Sequence, residues 1–160
     1  MAFAFDQDTN LLDKPVIPAL TTTGDSSPAH TPGYTVTSDD GRVYQYVLFN
    51  SGTGPVAAIA GAPCAWKEGT TANVVISDIS DSAQTAFAGM FLSVAETGKY
   101  VFIQTKGYVN DAVMEGAVAA GDPLAFITDG EFKTGAIGTN HIIATALEAD
   151  TAGFGDLVIL

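Results

Sequence analysis

The sequence predicts an all-β domain, an antiparallel β-sandwich or barrel, preceded by an extended N-terminal arm. Three observations carry this. From Tyr34 onward, runs of β-branched and aromatic residues are interrupted by Gly, Pro, Asn or Asp about every 8 to 12 residues, the spacing of sandwiches and barrels. No stretch sustains a helical apolar period. Residues 1–40 differ from the remainder, with four of the seven prolines (Pro15, Pro18, Pro28, Pro32), a Thr/Ser-rich run "TTTGDSSPAHTPG", six acids and Lys14 as the one base. That composition disfavours regular structure, because proline removes donors and fixes φ while Ser and Thr hydroxyls compete for the backbone.

The division expected is therefore an arm over 1–40 and one β-rich domain over 41–160. In the arm, Phe3, Phe5, Leu11, Leu12, Val16 and Ile17 are too many apolar side chains for a solvated linker, and a segment without its own core lays such residues on another surface. They are the candidate partner-contacting residues.

Within the domain, "YTVTSDDGRVYQYVLF" reads as strand, Asp-Asp-Gly turn, strand, with Tyr44, Tyr46 and Leu48 on one face and Val43, Val47 and Phe49 on the other. The runs "PVAAIAG", "PCAWKEGTTANVVISDI", "AFAGMFLSVAETGKYVFIQTKGYV", "LAFITDGEFKTG", "HIIATALEAD" and "GDLVIL" follow. Ala86, Phe87, Met90, Phe91 and Val94 also fit a helical i, i+3, i+4 pattern. Gly89 inside that run and the "ETGK" turn before the β-prone "YVFIQT" favour a hairpin instead. In "AVAAGDPLAFITDGEF" (Ala117 to Phe132), a turn at Gly121-Asp122-Pro123 starts a buried strand Leu124 to Thr128, and Asp129-Gly130 closes a hairpin. "VAAIAGAPCAW" (Val56 to Trp66) and "VAAGDPLAF" (Val118 to Phe126) align as Val-Ala-Ala, a Gly-x-Pro turn, then x-Ala-aromatic, with two residues deleted. A repeat architecture needs more than two copies, so they read as two similar strand starts.

Composition excludes several classes of function. With 160 residues, 47% of them hydrophobic, the chain suffices for one domain; 6 Lys+Arg against 18 Asp+Glu give net charge −12, a field that repels a polyphosphate. No nucleic-acid partner is expected. "MAFAFDQDTN" has neither a basic n-region nor an apolar h-region, and no window approaches a membrane span, so neither export nor membrane insertion is expected. Cys64 stands alone, which rules out an intrachain disulfide and suits a small buried side chain with no base beside it.

Chemical motifs are weak. "GTGPVA" (Gly52 to Ala57) has dinucleotide-loop spacing and Asp78 lies downstream, but Pro55 leads into a stretch too short for the helix whose N-terminus would hold the phosphate. His30 and His141 are far apart without a metal-ligand pattern, and no Gly-x-Ser-x-Gly elbow occurs. Asp39, Asp40, Asp78, Asp81, Asp122, Asp129 and Asp150 all flank turns, where the side chain caps backbone amides. Val118, Gly121, Asp122 and Leu124 match a carrier-domain string, yet the hairpin tip holds no lysine and Lys133 lies beyond it. Neither an enzyme nor a cofactor is expected.

The order of the pieces carries a resemblance. The Gly98 to Tyr100 hairpin, the aromatic-x-Gln-x-x-Gly strand Phe102 to Gly107, the Ala117 to Asp122 strand start, His141 to Glu148 and the apolar end Asp156 to Leu160 are similar to small virion proteins of tailed bacteriophages, the head decoration or cement proteins. The resemblance covers residues 40–160. It implies a structural protein on the outer surface of the capsid, partnered by the major capsid protein, commonly as a homotrimer, with no chemistry. A tail, fibre or baseplate β-domain is the alternative reading.

Overall fold

The runs of Val, Ile, Phe and Tyr form strands in the computed structural model, which describes residues 24–52, 56–69, 73–79 and 86–160. The described strands are β1 (Thr35–Thr37), β2 (Val43–Phe49), β3 (Pro63–Trp66), β4 (Val74–Ile76), β5 (Phe87–Phe91), β6 (Tyr100–Val113), β7 (Pro123–Thr128), β8 (Glu131–Thr134), β9 (Ala144–Ala146) and β10 (Phe154–Ile159). The fold is all-β and barrel-like. The ambiguous segment around Gly89 is strand β5, and the reason is local: a Cβ at Gly89 would lie 2.5 Å from the carbonyl oxygen of Gln104, so β5 and β6 approach where only glycine fits. Pro63 and Pro123 each open a strand, where a missing N–H is tolerated.

Hydrogen bonding closes β2, β4, β3, β5 and the first half of β6 into a ring, because β6 returns to pair with β2 from Tyr100 to Lys106. Antiparallel neighbours alternate in direction, so a closed ring with an odd number of strands must contain a parallel pair. That pair is β2 with β4, through Leu48↔Val74 and Phe49↔Val75, and it is where the structure departs from a purely antiparallel expectation. β6 then continues for a second half, which pairs with β10, followed by β9, β7 and β8. A parallel bridge from Met114 to Phe132 brings β8 back to the end of β6, closing a second ring.

The two rings repeat one topology. β2, β3, β4, β5 and the first half of β6 correspond in order to the second half of β6, β7, β8, β9 and β10. Several cross-strand hydrogen bonds recur at equivalent positions. Gly61 N–H donates to Phe91 O and Phe91 N–H to Ala62 O in the first unit; Gly121 donates to Ala146 and Ala146 to Asp122 in the second. The same holds for Ala95 to Ala58 beside Asp150 to Val118, and for Asn50 to Val75 beside Glu115 to Phe132. The Gly-x-Pro strand starts seen in the sequence, Gly61 to Trp66 and Gly121 to Phe126, therefore occupy equivalent positions of a duplicated five-strand unit, while upstream Ala58 rather than Val56 corresponds to Val118. Only a fragment of the duplication is visible in sequence, because turn chemistry must be kept at Gly-x-Pro while the strands need only be apolar on alternate positions.

Two expectations shift at their edges. Much of "PVAAIAG" is a loop, bridged at Ala58↔Ala95 and closed by Ala62 N–H to Ile59 O, and "HIIATAL" enters its strand only at Ala144. In the first case Gly61 spends its backbone groups on Phe91 and Val113, which tie the loop across the ring.

Val47, Phe49, Val75, Phe91, Val101 and Ile103 fill the first ring. The second is filled by Leu124, Phe126, Phe132 and Leu157, and this cluster extends through Ala65, Ile76 and Met90 into the first unit. One continuous apolar contact thus joins the two. Gln104, buried where β6 changes partner, donates through its Nε2 to Lys106 O (3.2 Å) and Tyr108 O (2.8 Å), satisfying carbonyls at the crossover.

Candidate functional site

No described residue cluster has the arrangement of a catalytic centre; the informative features are two equivalent outer faces, one covered by described residues and one that no described segment crosses. In the first unit, Tyr44 and Tyr46 alternate outward from β2 and Phe102 outward from β6, and an aromatic surface of this kind is costly to leave in water. Residues 24–34 cross it. Asp25 exchanges main-chain hydrogen bonds with Tyr100 at 2.9 Å each way, and Gly33 N–H donates to Tyr46 O at 2.7 Å. His30 stacks on Tyr34 (centroids 5.0 Å) and meets Tyr46 and Phe102 edge-on at 5.3 and 5.6 Å. The Tyr46 hydroxyl donates to the Asp25 carboxylate (2.8 Å) and accepts from Ala29 N–H (3.1 Å).

Burial, aided by the Asp25 carboxylate, pushes the Tyr46 phenol up to about 12. Since the folded pKa lies above the unfolded one near 10, the stabilisation is whole below about pH 10 and is lost as pH rises through about 12. Phenolate absorbance should therefore show Tyr46 among the late-ionising tyrosines, beside Tyr44 and Tyr108 whose phenols are also raised, and Tyr46→Phe should remove one late-ionising group while costing roughly 1–3 kcal/mol of stability, because Asp25 and the Ala29 amide lose their partner. A Tyr46→Phe protein in which the number of late-ionising tyrosines is unchanged would refute the assignment.

The second unit places different residues at the equivalent positions. Matching registers put Phe154 where the first unit has Tyr100, and Asp156 where it has Phe102. A β-bulge sets Asn110 and Asp111 against Asp156, with Asp111 at φ 53, a left-handed conformation that aspartate tolerates. The Asp111 amide donates to the Asp156 carboxylate (3.2 Å), and the Tyr108 hydroxyl donates to its other oxygen. That bond to Asp156 holds the Tyr108 phenol above its ordinary range. Asp111, Glu148, Thr151 and Phe154 line an open cleft of about 430 Å3.

The groups singled out in the sequence are dispersed. Cys64 is buried; its thiol donates to Gly89 O at 3.3 Å, and burial pushes its pKa up, the reverse of what a nucleophile needs. Asp78 is buried and His141 is exposed at the foot of β9. Asp122 caps the nearby Ala119 amide (2.9 Å), as expected of a turn aspartate, whereas Asp129 accepts from the Ile79 amide fifty positions away (2.7 Å) and ties two turns together. Asp40 binds Ser38 and the Arg42 guanidinium, which together hold its carboxyl below the usual range. Lys133 is on β8, paired with Glu115 at 3.0 Å, away from the hairpin tip. Among the described residues, no three His, Cys, Asp or Glu side chains gather as a metal site. Thr53 to Pro55 of "GTGPVA", and Phe3, Phe5, Leu11, Leu12, Val16 and Ile17 of the arm, lie outside the described residues.

Sequence reasoning did not single out His30, Asp25, Tyr108, Phe154 or Asp156 as a group. The signal available was charge: residues 107–160 hold eight carboxylates against Lys133 alone, so seven of the twelve net negative charges fall in the second unit.

Comparison with known proteins yields a likeness of fold. The chain is similar to the head fiber gp8.5 N base of bacteriophage phi29, with a TM-score of 0.52 and 15% sequence identity over 74% of this chain and 94% of that chain. The fold resembles that of a phage head-fibre base. No protein-family model and no curated protein matches the chain.

Proposed function

We propose that this protein is a structural component of a tailed-phage virion that binds the outer surface of the assembled capsid and stabilises it by bridging major capsid protein subunits, as a homotrimer. The observation that carries the reading is the likeness to the phi29 head-fibre base over nearly all of that chain, joined to the order of turns and strands in residues 40–160. The mechanism is linkage: a protein that binds only the assembled lattice lowers the free energy of that state by mass action, and many copies bridging subunits add avidity. The acidic surface suits a place outside the shell, away from packaged DNA.

Phe3, Phe5, Leu11, Leu12, Val16 and Ile17 are the proposed contacts of the arm with capsid subunits, since they are apolar residues in a segment rich in helix and strand breakers. Purified protein mixed with empty heads and with isolated tails should co-sediment with heads. Removing residues 1–20 should weaken that binding by about tenfold or more, equivalent to roughly 1.4 kcal/mol or more. Equal binding by the truncated protein would remove the arm from the contact. A second reading, the base of a fibre, is favoured by the neighbour itself being a head-fibre base. It predicts head binding together with a distal segment that engages something else.

A further inference from the structure

The outer face of the β2–β6 pair in the first unit lies under residues 24–34, whereas no described segment lies across the equivalent face of the second unit. Phe154 is 45% exposed there and Tyr108 43% exposed; Asp111 and Glu148 line the cleft with Phe154, and the Tyr108 hydroxyl donates to the neighbouring Asp156 carboxylate. Exposed aromatic area beside a cleft is the composition of a contact surface. We propose that this face docks a cationic, apolar-bearing extended segment of a partner protein, with lysine or arginine meeting Asp111 and Glu148 and an apolar side chain lying on Phe154 and Tyr108.

Three observations select this occupant. The duplicated unit shows what covers such a face: a chain segment that places one ring, His30, among outward aromatic residues. In the second unit an acid, Asp156, replaces one of those aromatics, so the complement must carry positive charge. A second copy of this chain brings net charge −12, and residues 1–23 carry three acids against Lys14, so neither complements a face in the most acidic part of the molecule. The Phe154 amide and carbonyl already pair with Thr151 at 3.2 and 2.8 Å. Recognition therefore runs through side chains rather than through an added strand.

The test uses the full-length protein and two synthetic dodecapeptides, one of lysine and leucine and one of glutamate and leucine, followed by calorimetry and amide chemical shifts. The lysine peptide is expected to bind, with shifts confined to residues 108–111 and 147–158 and an affinity that falls with salt. The pair Glu148→Lys with Phe154→Ser should weaken it by about tenfold or more, while Glu96→Lys on the first unit changes it by less than about twofold. Both variants alter exposed side chains, and an unchanged melting temperature verifies folding. Equal binding by the paired variant, or equal binding of the glutamate peptide, overturns the proposal. So does sedimentation showing a wild-type oligomer that Phe154→Ser dissociates, which would make the occupant a second copy.

Discussion

Gly61→Ala should destabilise the protein by roughly 3–5 kcal/mol, while Gly121→Ala at the equivalent position of the second unit should cost about 1–2 kcal/mol. Both glycines have left-handed φ, +84 and +88, so both substitutions carry the same conformational penalty. The difference is space. A Cβ on Gly61 would lie 2.4 Å from Asp111 O and 3.3 Å from Val113 N, whereas nothing lies within 4 Å of one on Gly121. Backbone cannot swing aside as a flexible side chain can, and Val113 N–H also donates to Gly61 O, so relief of the overlap would break that bond. Urea unfolding of the two variants reads the comparison directly. Equal losses would mean that the loop before β3 does not press on β6 as described.

Phe132→Ala should cost about 3–5 kcal/mol and still give one unfolding transition. Phe132 is fully buried on β8, its Cα partner across the second ring is Met114, and its ring meets Phe87 of the first unit at 6.1 Å. Truncation leaves a cavity among rigid strands that cannot collapse into it. Because the same apolar cluster includes Ala65, Ile76 and Met90 of the first unit, loss at Phe132 is felt by both rings. Calorimetric and van't Hoff enthalpies should therefore agree. Two separated transitions would show the units to be independently stable, and the shared β6 to be a tether rather than a common wall.

The strands were legible in the sequence because their information is local. "VYQYVLF", "YVFIQTKGYV" and "LAFIT" combine β-branched and aromatic residues with turn signals at both ends, and the hairpin at Asp129-Gly130 and the turn before Pro123 lie where those residues require them. The duplication was legible only as the short echo around Pro63 and Pro123. Strand-to-strand register is otherwise recorded in backbone hydrogen bonds, which any apolar side chain permits. The closing parallel pairs were not legible at all, since they follow from the odd number of strands in each ring and not from any residue.

The proposed interaction surfaces divide in the same way. The apolar arm residues were nominated from composition, and the acidic bias of residues 107–160 can be counted in the sequence. That Phe154 and Asp156 stand where Tyr100 and Phe102 stand in the first unit, and that described residues cover one face but not the other, depends on pairing between residues about fifty positions apart.

By itself, then, the sequence determined the strand content, the turns, the lone buried cysteine and the charge, because each arises from a residue and its immediate neighbours. The tertiary structure alone decided that β6 serves two rings, that His30 packs into one aromatic face, and that no described segment covers Tyr108 and Phe154 on the other. Those outcomes rest on which strands meet across the closed rings, and contacts made at long sequence separation leave no periodicity for a single chain of letters to reveal.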